Sequence, residues 1–226
     1  MIEGERLPLV VLASGRGSNL QAIIDAAADG RLAARIAAVV SDRADALALQ
    51  RAREAGIFAQ ALLPRDFPDP AAYDAALAAS VGSHRPGLVV LAGFMRIIGG
   101  GFVRRFTGRM LNIHPSLLPK YPGLDTHRRV LEAGERETGA SVHFVTEAVD
   151  AGPLIARARL PVRPGDTAQT LAARVLEFEH LIYPQVIDWF ATGRLRMRDG
   201  RAWLDGRALD KPIAIRLKHT SQVAAS

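Results

Sequence analysis

The first half of the chain alternates short apolar runs with segments of helical spacing, and this alternation constrains the fold more than any other feature. The apolar runs are typical of buried parallel strands, and the segments between them are typical of crossover helices. The pattern predicts strands over 7–13, 36–40, 57–62 and 88–91, with helices over 19–28, 44–55 and 69–81. Because strand–helix–strand units close in a right-handed sense, we expect a parallel sheet flanked by helices.

The second half of the chain follows a different order. Its predicted elements are strands over 110–113, 140–146 and 154–160, helices over 126–133 and 167–190, and a hairpin over 194–203. The strands 140–146 and 154–160 can pair as an antiparallel hairpin. Pro184 predicts a break or kink in the long helix, and Asp199-Gly200 suits the turn of the last hairpin. The whole chain therefore predicts an α/β fold whose mostly parallel sheet has an antiparallel C-terminal part.

Composition narrows the class of protein. The 226 residues, 49% of them hydrophobic, suffice for one sizeable core, and cysteine is absent, which excludes disulfides, thiol catalysis and thiolate metal sites. No apolar run approaches the roughly 18 residues of a membrane span, and the short acidic N-terminus is unlike a signal peptide, so we expect a cytoplasmic protein with no membrane contact. The net charge of +6 comes from scattered arginines, which favours an anionic small substrate over nucleic acid.

A glycine-rich loop, Ser14-Gly15-Arg16-Gly17-Ser18-Asn19, joins the first predicted strand to the first helix. Backbone N–H groups and the helix dipole at such a position favour an anion such as phosphate. A helix cap without a ligand is an equally weighted interpretation. Leu20 occupies the third glycine position of a dinucleotide-binding loop, so a single phosphate is favoured, although Asp42 could take the ribose-binding position of such a fold.

Apolar residues also follow the strand that ends at Leu91, in the segment Phe94-Met95-Arg96-Ile97-Ile98. At the carboxyl end of a parallel strand, this segment can form one wall of a pocket for a flat ring. The alternative, which the segment alone favours, is a buried strand that runs into a helix.

Asn112 and His114 stand two residues apart at the end of a predicted strand, so both side chains point to the same face. An amide and an imidazole suit transfer chemistry at a carbonyl, because one stabilises an oxyanion and the other moves a proton. Taken alone, such a pair is more often structural. Asp150, in the turn Asp150-Ala151-Gly152-Pro153, would raise the pKa of the His114 imidazole if the two side chains met in the fold.

The other titratable candidates are His127, His143 and the pair Glu179-His180, whereas His84 and His219 are expected at the surface. No two histidines have the spacing of a zinc-binding helix, so no metal site is expected. Because the chain also lacks cysteine and a G-x-S-x-G elbow, a covalent acyl-enzyme is not expected either.

Five motifs, taken in order, make a far more specific pattern than any one of them. They are S-G-R-G-S-N at 14–19, L-A-G-F-M-R-I at 91–97, N-I-H-P-S-L-L-P-K-Y-P-G at 112–123, S-V-H-F-V at 141–145 and D-A-G-P-L-I at 150–155. This set closely resembles the phosphoribosylglycinamide formyltransferase (glycinamide ribonucleotide transformylase) family over roughly residues 7–209. The resemblance implies a Rossmann-like formyltransferase fold. It also implies formyl transfer from 10-formyltetrahydrofolate, as co-substrate, to the amine of glycinamide ribonucleotide in purine biosynthesis.

The same resemblance implies roles for single residues. The implied catalytic residues are Asn112, protonated His114 and Asp150, with the first two stabilising the oxyanion and the third keeping His114 cationic. The implied substrate contacts are Gly17, Ser18, Asn19 and Glu179. The implied folate contacts are Met95, Arg96, Ile97, Ile98, Asn112, Thr146 and Asp150.

One position departs from the family pattern. Relatives carry an arginine facing the folate tail three residues after the position of Phe67, where this chain has Pro70, and Arg65 is a nearby substitute. The resemblance further implies one domain over residues 1–209. A nucleotide-binding half covers about 7–106, a folate and catalytic half covers about 107–209, and 210–226 is expected to form a flexible tail.

The expected partners are small-molecule substrates, in a monomer or a homodimer. Two alternatives stay open. A formyltetrahydrofolate hydrolase would release formate without the amine substrate. A non-catalytic nucleotide- or folate-binding module would retain the pockets and lack turnover.

Overall fold

A computed structural model describes residues 6–215 of the chain. The strands are β1 (Leu7–Leu12), β2 (Ala34–Ser41), β3 (Phe58–Ala61), β4 (Leu88–Leu91), β5 (Met110–His114), β6 (Glu137–Phe144), β7 (Leu154–Pro161), β8 (Leu195–Arg198), β9 (Arg201–Leu204), β10 (Arg207–Ala208) and β11 (Ile213–Ile215). The helices are α1 (Ser18–Ala28), α2 (Leu47–Glu54), α3 (Pro70–Ser83), α4 (Gly100–Arg105), α5 (Thr126–Glu132) and α6 (Ala168–Ala191), and a 3₁₀ turn spans Pro64–Asp66.

Eight strands form one sheet in the order β11-β7-β6-β5-β4-β1-β2-β3. The neighbours from β3 to β5 pair in parallel, whereas β6 pairs antiparallel with both β5 and β7. The predicted α/β fold, with a mostly parallel sheet and an antiparallel part, is confirmed. Because β1 lies between β2 and β4, the strand order reverses there, and sheets of this kind bind ligands in the crevice outside the carboxyl ends of the strands at that point.

The apolar strands are buried on both faces because helices cover both sides of the sheet. Along β1, Leu9 and Val11 pack in a cluster with α1, α2 and α6, while Val10 and Leu12 pack in a second cluster with α3 and α4. All four side chains are 0% exposed. This two-sided burial explains why the strand has a continuous apolar run instead of an alternating one.

Two helices differ from the sequence-based expectation. Helix α6 runs unbroken through Pro184, so the predicted break is wrong there. Pro184 is buried, and the packing of α6 against the sheet outweighs the missing backbone N–H. Helix α4 was not predicted, because the glycines at its start hide a single helical turn that buries Phe102 and Val103.

The C-terminal part adds a small three-stranded sheet, in the order β10-β9-β8, and one edge strand. The hairpin of β8 and β9 turns at Asp199-Gly200, as predicted. Strand β11 pairs in parallel with β7, so the prediction of a flexible tail is wrong for Ile213–Ile215. Both isoleucines pack against the large core cluster, in a pattern of three residues that is too short to recognise in sequence. The part of the predicted tail beyond residue 215, with His219, lies outside the described residues.

Candidate active site

The loop after β1 brings backbone N–H groups to the carboxyl end of the sheet. Gly17 precedes α1 with a left-handed φ of 70° and makes no side-chain cap. A Cβ at Gly17 would lie 2.7 Å from the Cα of Ala48, so glycine is what lets the loop pack against α2. The first turn of α1 therefore presents N–H groups without a side-chain cap, which is the arrangement that a phosphate needs.

The glycine-rich loop and the apolar segment after β4 are held side by side. The backbone N–H of Ser14 donates to the Gly93 carbonyl at 3.0 Å, and the Met95 N–H donates to Ser14 Oγ at 2.9 Å. A cavity of about 410 Å³ opens between them, with Arg16 and Arg43 among its wall residues. The two candidate binding segments therefore border one crevice at the switch point of the sheet.

Glu179 reaches this loop from the middle of α6. The Asn19 Nδ2 group donates to Glu179 Oε2 at 2.6 Å, and Glu179 is 6% exposed. Burial raises the pKa of Glu179, and the hydrogen bond from Asn19 opposes that rise. Asn19 Oδ1 is buried without a hydrogen-bond partner among residues 6–215, which leaves an acceptor for a ligand. Two predicted substrate contacts that are 160 positions apart in sequence thus meet in the fold.

The second cluster forms where β5 and β6 pair. Asn112 and His114 lie on one face of β5, and His143 of β6 is the register partner of Asn112. Asp150 reaches both strands from the following loop. Its Oδ2 lies 3.4 Å from His114 Nδ1, and its Oδ1 lies 3.5 Å from Asn112 Nδ2. The three predicted catalytic residues are thus brought together by the fold.

The His114 ring faces an acceptor at each nitrogen. Nε2 lies 2.8 Å from the Tyr121 carbonyl oxygen, and Nδ1 faces the Asp150 carboxylate. A neutral ring can donate to only one of them, whereas an imidazolium satisfies both. Burial nevertheless lowers the pKa of His114 below its ordinary value, although the Tyr121 carbonyl and Asp150 both raise it. Desolvation of the ring therefore outweighs the contact with Asp150 in its effect on this pKa, and the cationic role of His114 stays a prediction.

Asp150 is held as a carboxylate. Burial raises its pKa, but the contact with His143, the Gly123 N–H and the neighbouring His114 together lower it below the ordinary value of an aspartate. The Gly123 N–H donates to Asp150 Oδ2 at 2.8 Å. The residue sits at a φ of 52°, so the turn directs its side chain towards the strands at the cost of a left-handed backbone.

His143 is a member of this cluster that was a candidate in the sequence but had no assigned role. Its Nδ1 donates to the Phe144 carbonyl at 2.8 Å, so Nε2 accepts from Asn112 Nδ2 at 3.2 Å. This contact orients the Asn112 amide and leaves its second N–H only the longer contact to Asp150. Its place in the S-V-H-F-V motif at 141–145 was the signal that could have found it. Neither His127 nor His180 makes a hydrogen bond to this cluster within residues 6–215.

Exposed apolar side chains stand on the loops after β4 and β6, and one of them, Met95, is a wall residue of the crevice. Met95 is 66% exposed and Ile97 is 79% exposed, and Val149 in the facing loop is 53% exposed. The Arg96 guanidinium lies 4.9 Å from the centre of the Tyr73 ring. Ile98 packs against the α3 cluster, and Thr146 Oγ1 donates to the Ala148 carbonyl at 3.3 Å. Most of the predicted folate contacts therefore lie on two loops, one after β4 and one after β6.

Pro70, which stands where the family resemblance implies an arginine, has a structural role in this fold. It is the first residue of α3, a position that suits proline because the missing N–H would have no helical partner. Asp69 caps this helix by accepting from the Ala72 N–H at 2.8 Å. Arg65 lies in the 3₁₀ turn before α3 and is exposed.

The family model described as formyl transferase matches residues 7–187 of the chain. The chain therefore belongs to the formyl transferase family. Within it, phosphoribosylglycinamide formyltransferase of Escherichia coli is 54% identical over 201 residues, which cover 89% of this chain and 95% of that protein. The Haemophilus influenzae protein of that name is 48% identical over 203 residues, 90% of this chain and 96% of that protein. These relatives fix the class of the protein as a one-carbon transferase.

A solved structure agrees with this assignment. The phosphoribosylglycinamide formyltransferase of Coxiella burnetii, in complex with CHES, has a TM-score of 0.89 and 52% identity, and it covers 93% of this chain and 100% of that one. The human trifunctional purine biosynthetic protein adenosine-3 is 40% identical over 195 residues, or 86% of this chain and 19% of that protein. Within the described part of the chain, none of the helices is long and apolar enough to cross a membrane.

Proposed function

We propose that the chain transfers the formyl group of 10-formyltetrahydrofolate to the amine of N1-(5-phospho-D-ribosyl)glycinamide, in de novo purine biosynthesis. The products are the formylglycinamide ribonucleotide and tetrahydrofolate. The observation that carries the proposal is the meeting of Asn112, His114 and Asp150 at the carboxyl end of the sheet. They lie near a crevice bordered by a phosphate-type loop and an apolar rim.

The nucleotide substrate would bind at the first loop. Its phosphate would accept from the N–H groups of the Gly17-Ser18-Asn19 segment, where the helix dipole and nearby Arg16 favour negative charge. The buried pair of Asn19 and Glu179 would contact polar groups of the same substrate. The phosphate loop of this site thus belongs to the N-terminal half, about 7–106, whereas Glu179 and the catalytic cluster belong to the half over about 107–209.

The folate would enter from the apolar rim. Met95, Ile97 and Ile98 would pack against its flat ring system, with Arg96 nearby and with Thr146 in the facing loop. The large exposed fractions of Met95 and Ile97 support this assignment, because binding would remove apolar surface from water. Asn112, which pairs with Leu91 just before this segment, and Asp150 would meet the part of the folate that carries the formyl group.

The chemistry requires no enzyme nucleophile. The amine lone pair attacks the formyl carbon, and the carbonyl π electrons move to oxygen. The tetrahedral intermediate then collapses as the bond from carbon to N10 breaks, and a proton lost by the amine ends on N10. Asn112 would donate its second N–H to the oxyanion. His114 would take up the proton lost by the amine, donate its Nδ1–H, whose contact with Asp150 is long at 3.4 Å, to the oxyanion, and then give that proton to N10. Stabilisation of charge that exists only in the transition state is where such a site gains most.

The proton state of His114 can change during this reaction. In the resting site, burial favours the neutral ring, yet both ring nitrogens face acceptors. A developing oxyanion would add negative charge, which raises the imidazole pKa and favours the imidazolium. Asp150, held as a carboxylate, would stabilise that cation and keep the ring oriented.

The direct experiment mixes the protein with 10-formyltetrahydrofolate, with and without the glycinamide ribonucleotide, and follows the release of tetrahydrofolate. We expect release that depends on the amine substrate. Release of formate and tetrahydrofolate without the amine would instead indicate a hydrolase. No release of tetrahydrofolate under either condition would contradict the proposal and would indicate a non-catalytic binding module.

A further inference from the structure

A second cavity, of about 230 Å³, lies outside the crevice described above. It is enclosed by the loop that follows β5, the first residues of β6, and strand β7. None of its wall residues belongs to the proposed catalytic, substrate or folate groups. It does share Tyr121 with the catalytic cluster, because the Tyr121 carbonyl accepts from His114.

The wall of this cavity has more positive than negative charge. Lys120, Arg157 and Arg159 face Glu135 and Glu137 across it. Lys120 pairs with Glu135 at 2.7 Å, and Arg159 pairs with Glu137 at 3.3 Å. Both carboxylates are therefore engaged by other cations, and among residues 6–215 no acidic side chain is paired with Arg157.

Arg157 is poorly compensated for a half-buried cation. Its Nη2 donates to the Leu118 carbonyl, whereas its Nε is buried without a hydrogen-bond partner in the described part of the chain. Burial and the nearby Arg159 both lower the pKa of Arg157. The hydroxyl of Thr138, another wall residue, is 1% exposed and also has no partner within residues 6–215. Buried polar groups normally find partners, so the Arg157 Nε–H and the Thr138 hydroxyl are two groups that a bound oxygen could pair with.

We propose that this cavity binds a small oxyanion, a phosphate or a short carboxylate, that pairs with Arg157. Guanidinium groups bind the oxygens of both anions through two parallel N–H donors. The size of the cavity sets the class of ligand. One water takes about 30 Å³ of liquid, so the space holds a handful of heavy atoms and is smaller than the about 300 Å³ of typical pockets for larger ligands.

The test is a titration of the full-length, ¹⁵N-labelled protein with inorganic phosphate and, separately, with acetate, followed by NMR. The backbone amides of Lys120 and Thr138 report on this cavity and not on the loop at Gly17, which can also bind phosphate. We expect a saturable chemical-shift change of both amides with at least one anion. The anion that produces it shows whether the cavity binds a phosphate or a carboxylate. No saturable shift with either anion would overturn the proposal.

Three variants sharpen the test. Arg157→Gln should weaken anion binding about tenfold or more, because it removes a charge-assisted pair. Glu137→Gln should tighten binding about two- to fivefold by freeing Arg159 from an exposed ion pair. Arg128→Gln removes a cation from α5 that does not border the cavity, and should bind as the wild type does. If Arg157→Gln fails to fold, Glu137→Gln decides the question: unchanged or weaker binding in that variant contradicts the proposal.

Discussion

The catalytic cluster and the apolar rim of the crevice are built in opposite ways. The side chains of His114 and Asp150 are 8% and 10% exposed, and the cluster is held by the register of β5 and β6. Met95 and Ile97 stand on a loop and are 66% and 79% exposed. The contrast teaches that the proposed reacting groups are already in place in the fold, whereas the proposed folate surface is one that only a bound ligand would cover.

The largest effect should come from the cluster. Asn112→Ala removes one oxyanion donor, and we expect turnover to fall by about 10²–10³ with both KM values nearly unchanged. Steady-state kinetics with both substrates measure this. Gln50→Ala, which removes an amide from the exposed pair with Glu54 on α2, should keep wild-type turnover. Near-wild-type turnover in Asn112→Ala would show that the amide is not part of the chemistry.

The substrate loop should respond mainly in binding. Gly17→Ala places a Cβ 2.7 Å from Ala48 at a φ of +70°, so we expect the KM for the ribonucleotide to rise about tenfold. We also expect the free energy of unfolding to fall, by about 1–3 kcal/mol more than in the control. That control is Gly30→Ala, at a φ of +72° with no atom within 4 Å. Equal losses in the two variants would mean that backbone strain alone, and not the close packing of this loop, sets the effect.

A substitution in the rim should have a smaller effect, and it should change only the binding of the folate. Ile97→Ala removes apolar surface that the folate would cover, worth about 1 kcal/mol, so its KM should rise about fivefold. Turnover and thermal stability should stay close to those of the wild type, because the side chain is so exposed. Leu47→Ala, at another exposed apolar residue on α2, is the matched control. An Ile97→Ala variant that loses turnover instead would contradict the proposal that the rim acts only in folate binding and the catalytic cluster in the chemical step.

The smallest effect is a shift in titration. In the free protein the pKa of His114 should lie below its ordinary 6.5, as measured by NMR of the ring protons. Asp150→Asn should lower this pKa further, because it removes a charge that raises it. Because the folded-state pKa of His114 is lower than its pKa in the unfolded chain, the unfolded chain binds this proton more tightly. His114 therefore lowers the free energy of unfolding as the pH drops below the ordinary histidine pKa of 6.5. A His114 pKa above 6.5 in the wild type would contradict the dominance of burial.

The fold was predictable where local pattern and topology agree. The strands that became β1 to β7 have recognisable apolar runs, and the βαβ rhythm predicts their parallel order. Strand β11 was not predictable, because three residues at an edge have too little pattern. The unbroken α6 was not either, since only tertiary packing explains a helix that continues through Pro184.

The candidate site divides in the same way. The shared face of Asn112 and His114 was predictable from their spacing on one strand, and Asp150 became a candidate through the family motif. The contact of His143 with Asn112 depends on the register of two strands that are 31 positions apart at this pair, which no local pattern contains. The lowered pKa of His114 depends on how deeply the loop through Tyr121 buries the ring, and burial is a property of the finished fold.

The proposed role of Asp150 in the chemical step is tested most directly by one pair of variants. Asp150 and Asp199 both occupy turns with left-handed backbones, at φ values of 52° and 50°. Asp150→Asn and Asp199→Asn should therefore cost the backbone equally little, and amine-dependent release of tetrahydrofolate compares their turnover. We expect a fall of about 10²–10³ in Asp150→Asn with KM values kept, and wild-type turnover in Asp199→Asn. Equal turnover in the two variants would contradict the account.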